Sequence, residues 1–100
     1  YVCGTTPGAS GGVIATGGSH QSSVGGDDDA FLVKFDGSGV RQWATYYGGM
    51  GTETGNACAT DAAGNVYMSG YAATGAGTVI ATPGSHQSVY GGGTYDAYLV

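Results

Sequence analysis

The chain repeats itself at a spacing of 66 residues. Residues 1–21 align with residues 67–87 without a gap, so Tyr1 matches Tyr67. At a run of glycines the second copy has one residue more, so the spacing becomes 67 residues. With this spacing the strand segments Asp29–Val33 and Asp96–Val100 align. Such periods are typical of arrays whose units cover each other's apolar faces. The chain therefore holds about one and a half units.

Glycine makes up 22 of the 100 residues and only 9% are charged, a balance that low-complexity disordered tracts share. Eight Tyr, two Phe and one Trp, together with short runs of Val, Ile and Leu, nevertheless supply apolar surface that disordered tracts lack. We interpret glycine here as a turn-forming and close-packing residue.

The charge excludes several classes of partner. Two Lys and Arg against seven Asp and Glu give a formal charge of -5, which leaves little to neutralise phosphates. We expect no nucleic-acid partner and no insertion into a membrane, since no stretch approaches the ~20 apolar residues of a span. No signal segment is visible.

Short alternating segments bounded by Gly, Asp and Asn predict β-strands. Two of the turns between them have the form Asp-x-x-Gly, at Asp36–Gly39 and Asp61–Gly64. The Asp side chain is expected to accept N–H bonds from residues two or three ahead, and Gly39 to take a positive φ. The predicted strands are Tyr1–Gly4, Asp29–Phe35, Val40–Tyr47, Thr54–Thr60, Asn65–Tyr71 and a last one starting at Asp96.

The connections are rich in small residues. Thr5–Gly12 shows no strong preference and is predicted to be a loop. Pro83–Gln87 is predicted to form a single helical turn with Pro in its first position, where a missing N–H costs nothing. Gly17 stands at the position of Pro83 in the first unit, so the turn there should be looser.

Four antiparallel strands per radially repeated unit are the blade pattern of a β-propeller. Inner strands have little room for side chains, so the small-residue strand Thr54–Thr60 is assigned innermost. Asn65–Tyr71 is then second, Asp29–Phe35 and the strand from Asp96 third, and Val40–Tyr47, with its large aromatic residues, outermost.

We therefore predict an all-β fold, a partial β-propeller of about one and a half four-stranded antiparallel blades. Long Gly-rich loops join the second and third strands. Residues 1–48 would hold the second, third and outermost strands of one partial blade. Residues 49–100 would hold the innermost, second and beginning of the third strand of the next.

These blade positions also predict how the chain behaves alone. It starts in a second strand and stops in a third, so copies joined head to tail would lack an outermost and an innermost strand. We expect the chain to be an excerpt of a longer protein, or to be bound to something larger. A monodisperse, cooperatively unfolding monomer of these 100 residues would contradict this expectation.

Several motifs in order carry a family resemblance that covers nearly the whole chain. They are Pro83-Gly84-x-x-Gln87, Gly91-Gly92, Asp96–Val100, and in the first unit Asp29–Asp36, Trp43–Gly49 and Ala59–Tyr71. The chain resembles the seven-bladed β-propeller repeat family called SBBP. It departs from the family at His20 and His86, where an aromatic residue is usual, and at Gly17, where Pro is usual.

The resemblance implies a propeller of about seven such units. It also implies a secreted or surface-exposed bacterial protein, often large and adhesive, with no shared catalytic residues.

Asp27, Asp28 and Asp29 are the candidate metal ligands, because calcium takes several oxygen ligands. Their spacing does not fit an EF-hand loop, and the second unit has only Asp96 at the matching place. The alternative is a solvated acidic loop in which Asp29 caps the entry to the strand. No other cofactor is predicted.

His20 and His86 occupy one repeat position, which favours a structural histidine that packs the loop and hydrogen-bonds to backbone. Ser19 and Ser85 stand beside them, but no base and orienting carboxylate are arranged for a nucleophile.

Cys3 and Cys58 match neither a disulfide framework nor a metal-site spacing. We expect buried or half-buried free thiols, and a disulfide only if adjacent blades bring the two together.

The segment Asp36–Trp43 matches neither the sialidase Asp-box nor the quinoprotein docking motif. Trp43 is more simply a packing residue of an outer strand. Glu53, in the loop before the inner strand, is expected to be a lone carboxylate without a partner.

These observations favour a structural or binding module of a bacterial extracellular or cell-surface propeller, adhesive or scaffolding, with no catalytic residues. Its partners would be further blades, a larger complex, or a surface glycan or protein. The alternative is a propeller hydrolase or lyase whose catalytic residues lie elsewhere. Charge-rich loops that differ from unit to unit would favour the enzyme. Both units of this chain are instead poor in charge and nearly identical.

Overall fold

The computed structural model describes residues 1–8, 13–73 and 80–100. Within these residues the protein is all-β, with two three-stranded antiparallel sheets and no helix. The first sheet has the order β1-β2-β3 and the second β4-β5-β6, and neither sheet closes. The strands are β1 (Val2–Pro7), β2 (Asp28–Phe35), β3 (Arg41–Tyr47), β4 (Glu53–Thr60), β5 (Val66–Ala73) and β6 (Tyr95–Leu99).

The order of strands within each sheet agrees with the sequence prediction, but several strands run further than predicted, β1 by three residues and β5 by two. β1 continues to Pro7, because Thr5 and Thr6 pair with Ala30 and Asp29 across the ladder. The predicted loop at Thr5 is therefore wrong for its first three residues. Its residues 9–12, and the second-unit residue 79 that matches Val13, lie outside the described part of the chain.

The core lies between the two sheets. β2 is the central strand of the first sheet, and both of its faces are covered in the middle of the strand. The sequence predicts this, because apolar residues occur at both sets of alternate positions. Ala30, Leu32 and Tyr47 of the first sheet form one buried cluster with Met68 of the second. Because burial of apolar surface is the main driving force of folding, this cluster holds the sheets together.

Aspartates shape both hairpin turns. Asp36 Oδ1 accepts the N–H groups of Ser38 at 2.9 Å and Val40 at 3.0 Å, and Gly39 has φ +81°. Asp61 makes the equivalent bonds two and four residues ahead in the second hairpin. The predicted turn chemistry is confirmed, except that the second N–H lies four residues ahead. Hydrogen bonds, led by that of Val40 for Asp36, lower the pKa of both carboxyl groups.

The loop before β6 contains a β-turn where the sequence predicts a helical turn. The N–H of Ser85 donates to the carbonyl of Thr82 at 3.0 Å, with Pro83 second and Gly84 third in the turn. Gly84 has φ +85°. Proline at the second position and a positive φ at the third are the pattern of a type II turn. The prediction is wrong because that φ lies outside the right-handed helical region.

The first unit repeats this turn. The N–H of Ser19 donates to the carbonyl of Thr16 at 3.2 Å, and Gly18 has φ +79°. Gly17 takes the position of Pro83, is exposed, and has no atom within 4 Å of where a Cβ would lie. The two turns thus differ chiefly in the freedom of one backbone position.

We expect Gly17→Pro to raise the free energy of unfolding by about 0.4–1 kcal/mol, because proline restricts the unfolded chain without disturbing this turn. Urea denaturation followed by fluorescence measures the change. Gly18→Ala is the matched control and should lower the value, since its φ is positive. A destabilising Gly17→Pro would show that the turn is not of type II.

Candidate functional site: a buried pair of carboxylates

Asp29 of β2 and Glu53 of β4 are fully buried, each 0% exposed. An isolated parallel bridge between Asp28 and Thr52 brings the starts of the two strands together, so the residues that follow become neighbours. A Cβ added at Gly48 would lie 2.5 Å from Asp29 Oδ1 and 2.6 Å from Glu53 Oε2. Both carboxylates thus approach the same glycine, and the prediction that Glu53 has no partner is wrong.

The loop before β2 fixes the Asp29 carboxylate. Its Oδ2 accepts a bond from Gln21 Nε2 at 2.6 Å and one from the N–H of Gly25 at 2.9 Å. Gln21 Oε1 in turn accepts the N–H of Gly48 at 3.0 Å. Gln21 therefore ties the loop, β2 and the end of β3 together. The Gly25 bond agrees with the predicted role of Asp29 as a cap at the strand entry.

Glu53 is less well satisfied than Asp29. Its Oε2 accepts the N–H of Gly49 at 2.6 Å. Asp29 Oδ1 and Glu53 Oε1 are buried and have no hydrogen-bond partner. Burial raises the pKa of Glu53, the Gly49 bond opposes this, and the charge of Asp29 raises it further. The site therefore favours a protonated Glu53.

Two tyrosines complete the surroundings of the pair. The Tyr47 hydroxyl donates to the carbonyl of Ile80, and the Tyr98 hydroxyl donates to the carbonyl of Thr54 at 2.7 Å. The two rings lie 5.4 Å apart between centroids. Burial, with the Glu53 charge as a further cause, raises the pKa of both phenols. The groups around Glu53 are thus an acid and two neutral phenols.

Neither basic residue neutralises the pair. The chain has two Lys and Arg in total. Arg41 donates to the carbonyl of Ile14 at 2.9 Å, and the Lys34 ammonium lies 5.7 Å from the centroid of the Tyr1 ring. A buried carboxylate without a counter-charge is expected to take up a proton. The arrangement can hold a proton, but a substrate cannot reach it.

The second unit repeats the hydrogen bonding around Asp29. Gln87 Nε2 donates to Asp96 Oδ2 at 3.1 Å, and the N–H of Gly91 donates to the same oxygen. Asp96 is half-buried. The Gln–Gly–Asp bonding is therefore a property of the repeat.

The predicted calcium ligands do not converge. Asp27 is exposed, Asp28 is half-buried and Asp29 is buried. Asp28 and Asp29 are consecutive strand residues, so their side chains leave opposite faces of the sheet. In the residues that the structure describes, no group of three or more His, Cys, Asp or Glu is placed to hold a metal ion. Calcium binding by this segment stays a prediction.

The repeated histidines are exposed. His20 stacks on the ring of Tyr47 at 5.9 Å between centroids, which agrees with a packing role. His86 borders a cavity of about 620 Å³ beside β6. Neither histidine makes a hydrogen bond in the described structure, so the predicted bonds to backbone are wrong.

The repeated serines are used within their own loops. The hydroxyl of Ser19 donates to the carbonyl of Gln21 at 3.2 Å, and that of Ser85 to the carbonyl of Gln87 at 3.1 Å. Trp43 is half-buried and meets Tyr1 edge to face at 5.8 Å, as a packing residue would. None of these residues contributes to the acid pair.

Comparisons with family models, curated proteins and solved structures found no match to the chain. Within the described ranges, no helix has the length and apolar character needed to cross a membrane.

We expect Gly48→Ala to lower the free energy of unfolding by about 1–3 kcal/mol, because the new methyl group would overlap two carboxylates that are buried and cannot move into solvent. Gly37→Ala is the control, since a Cβ there meets nothing within 4 Å. Chemical denaturation of both variants measures the difference. Equal effects would show that the carboxylates do not approach Gly48.

We expect Glu53→Gln to stabilise the protein at pH 8 by on the order of 1 kcal/mol, because an amide can donate to Asp29 where a charged carboxylate cannot. A raised pKa in the folded state means that the wild-type stability falls as pH rises above 4.5, the ordinary value of glutamate. The advantage of the variant should therefore shrink towards pH 5. Urea denaturation between pH 5 and 8 measures it.

Asp27→Asn is the control, because it removes the same charge from an exposed position. The carboxyl groups of Asp36 and Asp61, whose pKa is lowered, titrate below this window and do not interfere. An advantage for Glu53→Gln that is the same at every pH would contradict the raised pKa.

Proposed function

We propose that the chain is a run of β-propeller blades that acts as a structural and binding module of a bacterial extracellular or cell-surface protein. Each sheet is an antiparallel meander in which strands adjacent in sequence are adjacent in space. Blades of a propeller have this topology. The resemblance of the motifs to SBBP repeats adds the seven-bladed ring and the secreted, adhesive setting to the proposal.

The observation that carries the proposal is the recurrence of one set of hydrogen bonds in both units. Gln21 and Gln87 each bond to the aspartate that starts the following strand, Asp29 or Asp96. In each unit a glycine N–H four or five residues before that aspartate donates to the same oxygen. Units that repeat their internal bonding in this way are suited to stacking as interchangeable structural elements.

The alternative is a propeller enzyme, a hydrolase or lyase. Paired carboxylates are the groups that glycoside hydrolysis uses, and Asp29 with Glu53 is such a pair. Both are 0% exposed. Neither lines the cavity of about 620 Å³ beside β6, nor a second cavity of about 260 Å³ between the sheets. The buried pair therefore favours a structural role, and an enzyme would need catalytic residues elsewhere.

Exposed apolar side chains support an assembly with further blades or a protein ligand. Val13 is 76% exposed, Met50 79% and Leu99 73%. Leu99 belongs to β6, an edge strand whose outer backbone groups are unpaired in the described sheet. An exposed strand edge is a template for pairing with a further strand. We propose that the outermost strand of the same blade pairs with β6, as β3 pairs with β2, that adjacent blades cover the other apolar side chains, and that surface glycans or proteins bind the finished ring.

Electron microscopy of the whole protein that contains this chain tests the architecture. We expect ring-shaped particles built of repeated blades around a central axis. Particles in which the sheets form a two-layered sandwich or a linear solenoid would contradict the proposal.

Binding and turnover, measured on the same glycans and surface proteins, separate the scaffold from the enzyme. A scaffold binds these ligands without forming products. The variants Asp29→Asn and Glu53→Gln, provided that they fold, should bind as the wild-type protein does. Product formation would establish the enzyme, and its loss in either variant would place catalysis at the acid pair.

Protease treatment of intact cells tests the location. It should digest the protein, and full protection would contradict a surface location.

A further inference from the structure

Two cysteines meet where the sheets pack together. Cys3 lies in β1 and Cys58 in β4, each an edge strand of its sheet. Cys3 pairs with Leu32 and Cys58 with Met68, and both of those partners belong to the buried cluster between the sheets. Both cysteines are free thiols, half-buried, and packed against that cluster. The fold therefore brings together residues far apart in sequence.

The backbones of β1 and β4 are in contact beside this pair. A Cβ added at Gly55 would lie 2.8 Å from the carbonyl oxygen and 3.2 Å from the nitrogen of Gly4, the residue after Cys3. Burial raises the pKa of the Cys3 thiol, and the neighbouring Cys58 thiol raises it further. The crossing of β1 and β4 and the shared packing against one buried cluster thus place the two thiols next to each other between the sheets.

We propose that Cys3 and Cys58 are the site of an intramolecular disulfide that joins the two sheets covalently. One thiolate attacks a disulfide such as oxidised glutathione, forming a mixed disulfide and releasing one reduced glutathione. The other thiolate attacks the protein sulfur of that mixed disulfide and releases the second reduced glutathione. The two cysteines are oxidised, one glutathione disulfide is reduced, and both thiol protons pass to solvent or to the leaving thiolates.

The disulfide would restrict the unfolded chain by closing a loop of about 55 residues, which is where most of its stabilisation would arise. This inference does not rest on the proposed function, because it needs only the two thiols and an oxidant. An extracellular location would supply the oxidising conditions in which disulfides persist. Disulfide formation and surface function can therefore fail independently.

The test is to incubate the folded protein with oxidised glutathione at pH 8 and compare it with protein kept in dithiothreitol. We expect neither thiol to react with a thiol reagent any longer, and the mass to decrease by two hydrogens. The Cys3 and Cys58 peptides should be linked to each other, and reductant should separate them. The thermal midpoint should rise by about 10 °C or more in the oxidised protein. Oxidation should be faster at pH 9 than at pH 7, because thiolate is the nucleophile.

The double variant Cys3→Ala with Cys58→Ala should show no such rise, and each single Ser variant should stop at a mixed disulfide with glutathione. Two glutathiones on the wild-type chain, a disulfide-linked dimer as the main product, or thiols that stay reduced while the protein is folded would each overturn the proposal. These readings come from the wild-type protein, so they do not depend on whether a variant folds.

Discussion

The two sheets touch through their backbones, and the rest of the structure depends on this contact. β4 crosses β1 so closely that a Cβ at Gly55 would overlap the backbone of Gly4. The loop before β2 meets the loop after β3 in the same way, since a Cβ at Gly25 would lie 2.5 Å from the Gly49 oxygen. Only residues without a side chain allow such approaches. The high glycine content thus serves close packing between sheets as well as turns.

This close contact explains where the chain uses its few charged groups. Asp36 and Asp61 close the hairpins, and Asp29 and Asp96 accept N–H groups from the loops that precede their strands. Most aspartates therefore satisfy backbone donors that the tight turns leave unpaired. Glu53 likewise accepts the backbone N–H of Gly49, and like Asp29 it is fully buried and keeps one oxygen without a partner.

Local patterns predicted those features that local chemistry controls. The alternation in Asp29–Phe35 gave a strand covered on both faces, and the Asp-x-x-Gly spacing gave the hairpin turns. Predictions failed where a short segment had two acceptable conformations. Pro83 fits the first turn of a helix and the second position of a type II turn equally well, and the positive φ of Gly84 decided between them. The extension of β1 to Pro7 was decided by pairing with β2.

The sequence by itself determined where the strands lie, the two Asp-x-x-Gly hairpin turns, the repeat and the all-β class, because each follows from spacing within a few residues or from direct comparison of the two units. Only the tertiary structure decided that Glu53 lies beside Asp29 and that Cys3 and Cys58 pack against the same buried cluster. These contacts join different sheets, and no local periodicity records which strands will meet. They depend on the glycines that let the sheets approach, and on the buried cluster that holds the sheets together.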